Sequence, residues 1–315
     1  MNFNSETPED ERIKAEIEVM KKELAWLMET EIPRLAAIFD DLMKKCSIKL
    51  APLAMPSSLQ TSTASTRPLL LNSQQLGDAI KGHVTISGDK ISKAEVTLKL
   101  PGRNNHRVVK TQIKEHEAWK LQQIQNACNH FTIAQTKCPS MSKKLAKLRS
   151  PKSVLQAVGE VSAIIQQSMD SLVLPVHPKI AEIFSTNRQR PLKPELPDDI
   201  LLDFYISSDH LLLTVYILGQ AHLPRVSHAN LPSMAQLKEQ QQQQPKTADK
   251  TSVGECVIGT TFEHSSHTYE VTNQLQVQTP VPWLSEVLAV MEEIVEVCQE
   301  ISDKIRGFDI QELTN

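Results

Sequence analysis

The stretch TPVPWLSEVLAVMEEIVEVCQEISDKIR, residues 279–306, decides the fold. Its apolar residues recur alternately four and three positions apart, at Val287, Met291, Ile294, Cys298, Ile301 and Ile305. That spacing is typical of a helix that packs on other helices along one seam. A helix with such a stripe needs partners, because the stripe otherwise faces water. The stretch therefore predicts a C-terminal helix in a bundle, for which the rest of the chain supplies the partners.

Three other segments carry similar stripes. The first helix is predicted to start at Thr7-Pro8 and to be kinked or split at Pro33. Two middle helices are predicted over about 114–138 and 151–173, each ended by proline. We expect the terminal helices to pack against each other and the middle helices to complete the core. The predicted seams are Ile13, Ile17, Met20, Leu24 and Leu27, then Ile32, Leu35, Phe39, Leu42 and Cys46, then Leu121, Ile124, Cys128, Phe131 and Cys138, and lastly Val154, Val158, Val161, Ile165 and Leu172.

Between the helical segments, apolar and polar residues alternate in the manner of strands. IKGHVTIS at 80–87 and KAEVTLKL at 93–100 flank a Gly88-Asp89 turn, which predicts a hairpin. Further strands are predicted at 107–113, 201–207, 210–218, 254–263 and 267–278, and a short helix at 178–185.

The predicted fold class is α+β, with a discontinuous antiparallel helical bundle formed by N-terminal, middle and C-terminal helices and an inserted antiparallel β domain. The predicted bundle spans 8–48, 113–187 and 281–312, and the β domain spans 77–112 and 196–280. Residues 49–76 form a predicted linker. Residues 225–250, which include a run of glutamines, form a predicted low-complexity disordered loop.

The stretch EHEAWKLQQIQNACNH, residues 115–130, raises the question of a site. Cys128 and His130 are two residues apart, so on a helix they point about 200° away from each other and cannot hold one metal ion. We interpret the stretch as a packing face within the bundle, or as a face partly left for a partner. The candidate core and interaction residues are Trp119, Leu121, Ile124, Phe131, Trp283, Met291, Ile294 and Ile301.

Composition and motifs favour a binding protein over an enzyme. The 315 residues carry a net charge of −3, which argues against non-specific nucleic-acid binding. The sequence contains no P-loop, GxGxxG, GxSxG or HExxH motif, so we expect no catalytic residues, no cofactor and no metal. Five cysteines without CxxC spacing fit thiols in a reducing compartment, and no apolar run is long enough to span a membrane. We expect a cytoplasmic protein.

Charge is distributed unevenly along the chain. Residues 111–152 carry eight basic and two acidic residues, whereas 281–315 carry eight acidic and two basic ones. These segments are either two solvated faces or neighbours in the bundle. The stretch MSKKLAKLRSPK, residues 141–152, is a further candidate for docking acidic lipid or an acidic partner.

The run WKLQQIQNACNH at 119–130 resembles the most recognisable segment of the Rogdi family. Other segments agree in the same order: GHVTISGDKISKAEVTLKLP at 82–101, RNN at 103–105, LTVY at 213–216 and VPWL at 281–284. The stretches around 55–75 and 225–250 are longer here than is usual for the family, as surface insertions would be.

The resemblance implies a non-enzymatic adaptor that is similar to the small subunit of the yeast RAVE complex. Such an adaptor would bind a rabconnectin-3 type scaffold protein and thereby regulate assembly of the vacuolar-type proton ATPase, with roles in vesicle acidification and neuronal function. It would be monomeric within a hetero-complex, with no nucleic-acid partner, and peripheral on endosomal or synaptic vesicle membranes, with the nuclear envelope as a further location. The alternative is a homodimeric leucine-zipper regulatory protein with a nuclear role.

Overall fold

The computed structural model describes residues 8–54, 68–72, 79–100, 107–148, 150–174, 179–185, 189–220, 257–264 and 267–308. The predicted loop at 225–250 and Cys256 lie outside these ranges. The chain divides into two compact units, one of residues 1–65, 122–173 and 281–315, and the other of residues 66–121 and 174–280. The first unit is helical and the second is built on antiparallel sheets, which confirms the α+β class with an inserted β region.

The helical unit is a bundle assembled from three distant parts of the chain. Its elements are α1 (Pro8–Trp26), a π-helical turn (Leu27–Glu31), α2 (Ile32–Ala54), α3 (Gln122–Lys137), α4 (Met141–Leu145), α5 (Pro151–Val173) and α7 (Pro282–Arg306). The main pairings are α3 with α5, α2 with α7 and α5 with α7. Glu31 meets Lys304 at one end of the α2–α7 pair and Lys49 meets Glu286 at the other, so these helices are antiparallel.

Pro33 explains why the first helical segment is interrupted. Proline has no N–H to donate, and its ring clashes with the carbonyl four residues earlier, here that of Glu29. The chain accommodates this in the π turn, in which the Ile32 N–H bonds to the carbonyl of Leu27, five residues back. The predicted interruption at Pro33 is therefore present, and it divides the segment into α1 and α2.

The helix that packs against α7 is α2, not α1. The α2 seam is buried, and the whole predicted α7 seam is at most 1% exposed. In α1, by contrast, Ile13 is 50% exposed and Trp26 is 59% exposed. The expectation that the seam of residues 13–27 meets the C-terminal helix is therefore wrong for α1, except that Leu27 of the π turn is buried. The partner is supplied by the second register, Ile32 to Cys46.

The β unit contains two antiparallel sheets. The first has the order β1 (Leu69–Asn72), β2 (Ile80–Ser87), β3 (Lys90–Leu100), β4 (Arg107–Ile113) and β6 (Leu192–Lys193), with β5 (Trp119–Lys120) paired to β3. The second has the order β7 (Ile200–Ser207), β8 (His210–Gln220), β10 (His267–Pro280) and β9 (Thr261–His264). The predicted hairpin turn is present, and Gly88 takes the positive φ of 65° that it requires. Helix α6 (Ile180–Ser185) packs Ile180 and Ile183 on the second sheet.

Four boundaries differ from prediction. The helix expected from 114 starts at Gln122, because Trp119 and Lys120 instead form β5 and pair with Ile91 and Lys90 of β3. Residues 113–121 and 174–187, expected in the bundle, accordingly belong to the β unit. The expected linker, 49–76, is helical as far as Ala54 and contains β1. The strand expected over 254–263 is present as β9, which starts only at Thr261 after a turn. Tertiary strand pairing outweighs local periodicity at the start of α3.

Candidate functional site

The candidate residues fall into both units. Ile124 and Phe131 lie on the buried face of α3, and Met291, Ile294 and Ile301 lie on the buried face of α7. Trp283 is half-buried in the first turn of α7. These six belong to the helical unit. Trp119 and Leu121 are buried in the β unit instead, so the eight residues are divided between the two units.

Trp119 covers part of the edge of the second sheet, at strand β7. Its ring packs edge-to-face on Phe204 with 5.4 Å between ring centroids, and its indole N–H donates to the Phe204 carbonyl at 3.3 Å. Gln189 Nε2 donates to the neighbouring outward carbonyl of Leu202 at 2.6 Å. Because β7 is an edge strand, these side chains occupy carbonyls that another strand would otherwise use. We infer that Trp119 has a structural role, as the first residue of β5 rather than as part of a helix.

Glu31, in the π turn, links the N-terminal segment to the C-terminal helix. It accepts two hydrogen bonds from Arg34, both at 2.9 Å, and lies 3.1 Å from Lys304 Nζ. These contacts, first that of Arg34 and then that of Lys304, lower the pKa of Glu31 from 4.5 to about 2. Its carboxylate thus stays charged over the whole physiological range and joins residues 270 positions apart. Lys49 and Glu286 form a corresponding pair at the other end of α2 and α7.

Asp40 braces α4 against α2. Its carboxylate accepts hydrogen bonds from the Met141 N–H at 2.6 Å, the Ser140 hydroxyl at 2.8 Å and the Ser142 N–H at 3.2 Å. The same Ser140 caps α4 by accepting from the Lys143 N–H. Ser140 after proline is a cap signal that sequence reasoning can find. No local signal identifies Asp40, because it lies about 100 residues away in the chain.

Buried side chains also join the middle helices to α7. Ser168 of α5 is fully buried and donates to the Ala127 carbonyl of α3 at 2.7 Å. Met291 Sδ lies 3.8 Å from the same hydroxyl. The contact compensates the cost of burying a hydroxyl and holds three helices at one level of the bundle.

The buried thiols of the bundle are poorly suited to nucleophilic chemistry. Burial raises the pKa of both Cys46 and Cys298 from 9.0 to about 12, and it also raises the pKa of Cys138. Cys128, expected on the buried seam, is only half-buried, since Ala127 and Phe131 take the inward positions around it. The predicted burial of Cys298 is confirmed, whereas the predicted burial of Cys128 is wrong.

The bundle presents two charged surfaces. On α7, Glu292, Glu293 and Glu296 lie on the exposed face and are three or four residues apart or adjacent. The basic surface comprises exposed Lys143, Lys147 and Lys152, from α4 to the first turn of α5. Within the described residues no ion pair connects the basic segment with α7, whose pairs to other segments are made with Lys49 and Glu31. The two surfaces are therefore available to other molecules.

A groove of about 500 Å³ lies between the α1–α2 junction and the α4–α5 turn. Its apolar lining includes Leu24, Met28, Leu145, Leu148 and Val154. Such a concave apolar surface suits side chains of a bound helix more than a polar metabolite.

The β unit has a larger open cleft of about 980 Å³ across the first sheet. Three lysines, four glutamates and two histidines line it, and His83 Nε2 lies 4.0 Å from Glu95. Both signs of charge are mixed here, so the cleft selects neither an anion nor a cation.

In the part of the chain that is described, no three or more His, Cys, Asp or Glu side chains are grouped so that they could bind a metal ion. In the same residues, no helix has both the length and the apolar character needed to cross a membrane.

Comparison with known proteins gives one consistent result. Residues 23–306 match the family model described as "Rogdi leucine zipper containing protein". The chain is 29% identical to the human protein rogdi homolog over 297 residues, which is 93% of this chain and 94% of that protein. It is 26% identical to the zebrafish homolog over 298 residues, covering 93% and 95%. It is 22% identical to Drosophila melanogaster protein rogdi over 310 residues, covering 98% and 94%.

Proposed function

The chain belongs to the Rogdi family, and from this premise we propose that it is a non-enzymatic adaptor subunit of a RAVE-like complex. In this function it binds a rabconnectin-3 type scaffold and, through the scaffold, regulates assembly of the vacuolar-type proton ATPase. Vesicle acidification, including that of synaptic vesicles, then depends on it. It works in the cytoplasm and peripherally at endosomal or vesicle membranes, with the nuclear envelope as a further location.

The observation that carries this proposal is the construction of the bundle. Three segments from the start, middle and end of the chain form a single core, and ion pairs near both ends of α2 and α7 brace it. Such a core holds the exposed faces of α4, α5 and α7 in a fixed geometry, as recognition of a large partner requires. The thiols, the residues most suited to covalent chemistry, have raised pKa values where they are buried.

The acidic face of α7 is the proposed scaffold contact. Glu292, Glu293 and Glu296 are like charges at helical neighbour positions, which repel one another by a few tenths of a kcal/mol per pair. A basic partner surface would relieve that repulsion and would be attracted over several ångströms.

Affinity capture from animal tissue lysate followed by mass spectrometry tests the proposal. We expect the wild-type chain to enrich a rabconnectin-3 type scaffold and subunits of the proton ATPase. The variant E292K/E293K/E296K should lose them while keeping its thermal stability, because all three side chains are exposed. A matched reversal of the basic surface, K143E/K147E/K152E, should keep them. Absence of the scaffold from wild-type captures would disprove the function, whereas loss only with the basic reversal would move the contact to that surface.

A second candidate function, a homodimeric leucine-zipper regulatory protein with a nuclear role, has one observation in its favour. The heptad stripe of α1 is exposed enough to accept a partner helix. Self-association by itself is compatible with either function. Cell fractionation separates them, because a nuclear regulator accumulates in the nucleoplasm and a vesicle adaptor sediments with membranes.

A further inference from the structure

The basic surface concentrates positive charge in an otherwise acidic chain. Residues 141–152 contain five basic side chains and no acidic one. Since the whole chain has a net charge of −3 and this stretch carries +5, the remainder carries −8. A negatively charged surface would therefore attract the chain through residues 141–152 and repel the remainder on balance.

The fold holds these charges in place and leaves them in water. Lys143, Lys147 and Lys152 are exposed, and among the residues that the structure describes none of the three forms an ion pair. Asp40 approaches the start of α4, but its carboxylate accepts hydrogen bonds from residues 140–142 instead. The basic surface is thus positioned by a contact with α2 while its charge stays uncompensated.

The arrangement of the charges indicates an extended anionic surface as the partner rather than an acidic helix. Lys143, Lys147 and Lys152 are not among the residues that line the neighbouring groove, in which a helix could lie. Their ammonium groups act as point charges and do not impose the paired geometry by which arginine recognises a single carboxylate. A bilayer with anionic headgroups presents an extended surface of this kind, and clusters of roughly four to eight Lys or Arg residues are typical of segments that bind it.

We propose that residues 141–152 bind directly to the surface of an anionic membrane of the kind that contains phosphatidylserine. The lysine ammonium groups contact the lipid headgroups, and the chain stays outside the hydrocarbon core. Each lysine near such a surface strengthens binding about five-fold, so the contact is reversible and depends on several lysines together. The inference rests on the proposed peripheral location and adds that the chain itself, not only its scaffold, contacts lipid.

Co-flotation of the purified full chain with vesicles gives the first test. The probes are vesicles of phosphatidylcholine alone and vesicles in which roughly a third of the lipid is phosphatidylserine. We expect the chain to float with the anionic vesicles and not with the neutral ones. Raising the salt from about 0.1 M to about 1 M shortens the screening length from about 10 Å to about 3 Å and should release the chain. Failure to bind the anionic vesicles, or equal binding to both kinds, overturns the proposal.

Neutralising variants identify the surface. K143Q/K147Q/K152Q should weaken binding to the anionic vesicles roughly 100-fold, because three of the contributing charges are lost. The matched control K22Q/K44Q/K45Q makes the same change in net charge at exposed positions of α1 and α2, and it should bind nearly as the wild type does. K143R/K147R/K152R keeps the charge and should keep the binding. Circular dichroism establishes that each variant retains its helices. Equal losses in the first variant and its control, or loss in the arginine variant, would overturn the proposal.

Footprinting with an amine-reactive reagent locates the contact without any substitution. On anionic vesicles Lys143, Lys147 and Lys152 should be acylated several-fold more slowly, whereas exposed Lys22 and Lys45 should react at an unchanged rate. Protection of other lysines but not of the basic surface overturns the proposal.

Capture of the scaffold distinguishes this inference from the proposed function. The vesicle experiments use the purified chain alone, so a failed flotation leaves capture of the scaffold from lysate unaffected. A failed capture with intact, lysine-dependent flotation would instead disprove the adaptor function and leave the membrane contact standing.

Discussion

Helices α1 and α7 share a heptad spacing but have opposite environments. The α7 seam is at most 1% exposed from Val287 to Ile305, whereas Ile13 in α1 is 50% exposed. The residues beside each seam account for the difference. In α7, Leu284 and Leu288 widen the stripe and are themselves buried. In α1 the flanking positions are charged, as at Lys14 and Lys21.

The width of an apolar stripe therefore indicates its partner better than its period does. A wide stripe covers enough of the helix to contact two neighbours, and α7 contacts both α2 and α5. A stripe only one residue wide, with charges on each side, suits a single parallel partner. The four predictions below test this contrast in order of decreasing expected effect.

Ile294→Asp should have the largest effect. Ile294 is 0% exposed, so the substitution buries a carboxyl without a partner and should lower the free energy of unfolding by roughly 3 to 5 kcal/mol. The matched change on the other seam, Ile13→Asp, should cost about 0.5 kcal/mol or less in dilute protein. Urea denaturation monitored by circular dichroism measures both. Equal losses would contradict the contrast between the two helices.

The same contrast between covered and open positions applies to two cysteines. With a pKa of about 12 instead of 9.0, Cys298 has roughly 1,000-fold less thiolate than an ordinary thiol, and its side chain is only 1% exposed. Half-buried Cys128 should therefore react with a maleimide before Cys298 does under native conditions. Peptide mapping by mass spectrometry follows each site. Rapid modification of Cys298 in folded protein would show that the α7 seam opens.

Removal of the Asp40 brace tests what a half-buried contact adds to the bundle. Asp40→Ala removes three acceptor contacts to the start of α4 and should cost about 1 to 2 kcal/mol. The neighbouring control Asp41→Ala removes an exposed ion pair to Lys44 at 3.3 Å, which is worth about 0 to 1 kcal/mol. Thermal unfolding of both variants gives the comparison. A larger loss for Asp41→Ala would refute the bracing role of Asp40.

The link between the π turn and α7 should depend on pH. Since the folded-state pKa of Glu31 is lowered from 4.5 to about 2, its stabilising contribution is complete above pH 4.5 and is lost as pH falls toward 2. The difference in melting temperature between wild type and Glu31→Gln should accordingly shrink between pH 5 and about 2. Glu29→Gln, an exposed change two residues away, serves as the control. A difference that is constant with pH would refute the assigned ion pairs.

Much of the fold could be predicted from local patterns. The hairpin around Gly88-Asp89 and the helix over 151–173 agree with the structure, because turn chemistry and apolar period act within a few residues. The start of α3 could not be predicted in the same way. Trp119 fits a helical seam in sequence, yet it lies in β5 because β3 and Phe204 are placed beside it by distant parts of the chain. Six of the eight candidate residues lie in the helical unit. The other two, Trp119 and Leu121, lie just before the start of α3 and belong to the β unit.

The sequence by itself determined that this chain has helices at both ends and in the middle, and strands between them, because period and turn residues are local properties. It also contained the motifs that identify the family. Only the tertiary structure decided that α2 rather than α1 covers α7, that Asp40 holds α4 and that Glu31 joins Lys304. These contacts connect residues about 100 to 270 positions apart. The local sequence around an apolar stripe or a carboxylate does not identify such a distant partner. α2 packs on α7 because this arrangement buries the widest apolar stripes and leaves the charged flanks of α1 in water.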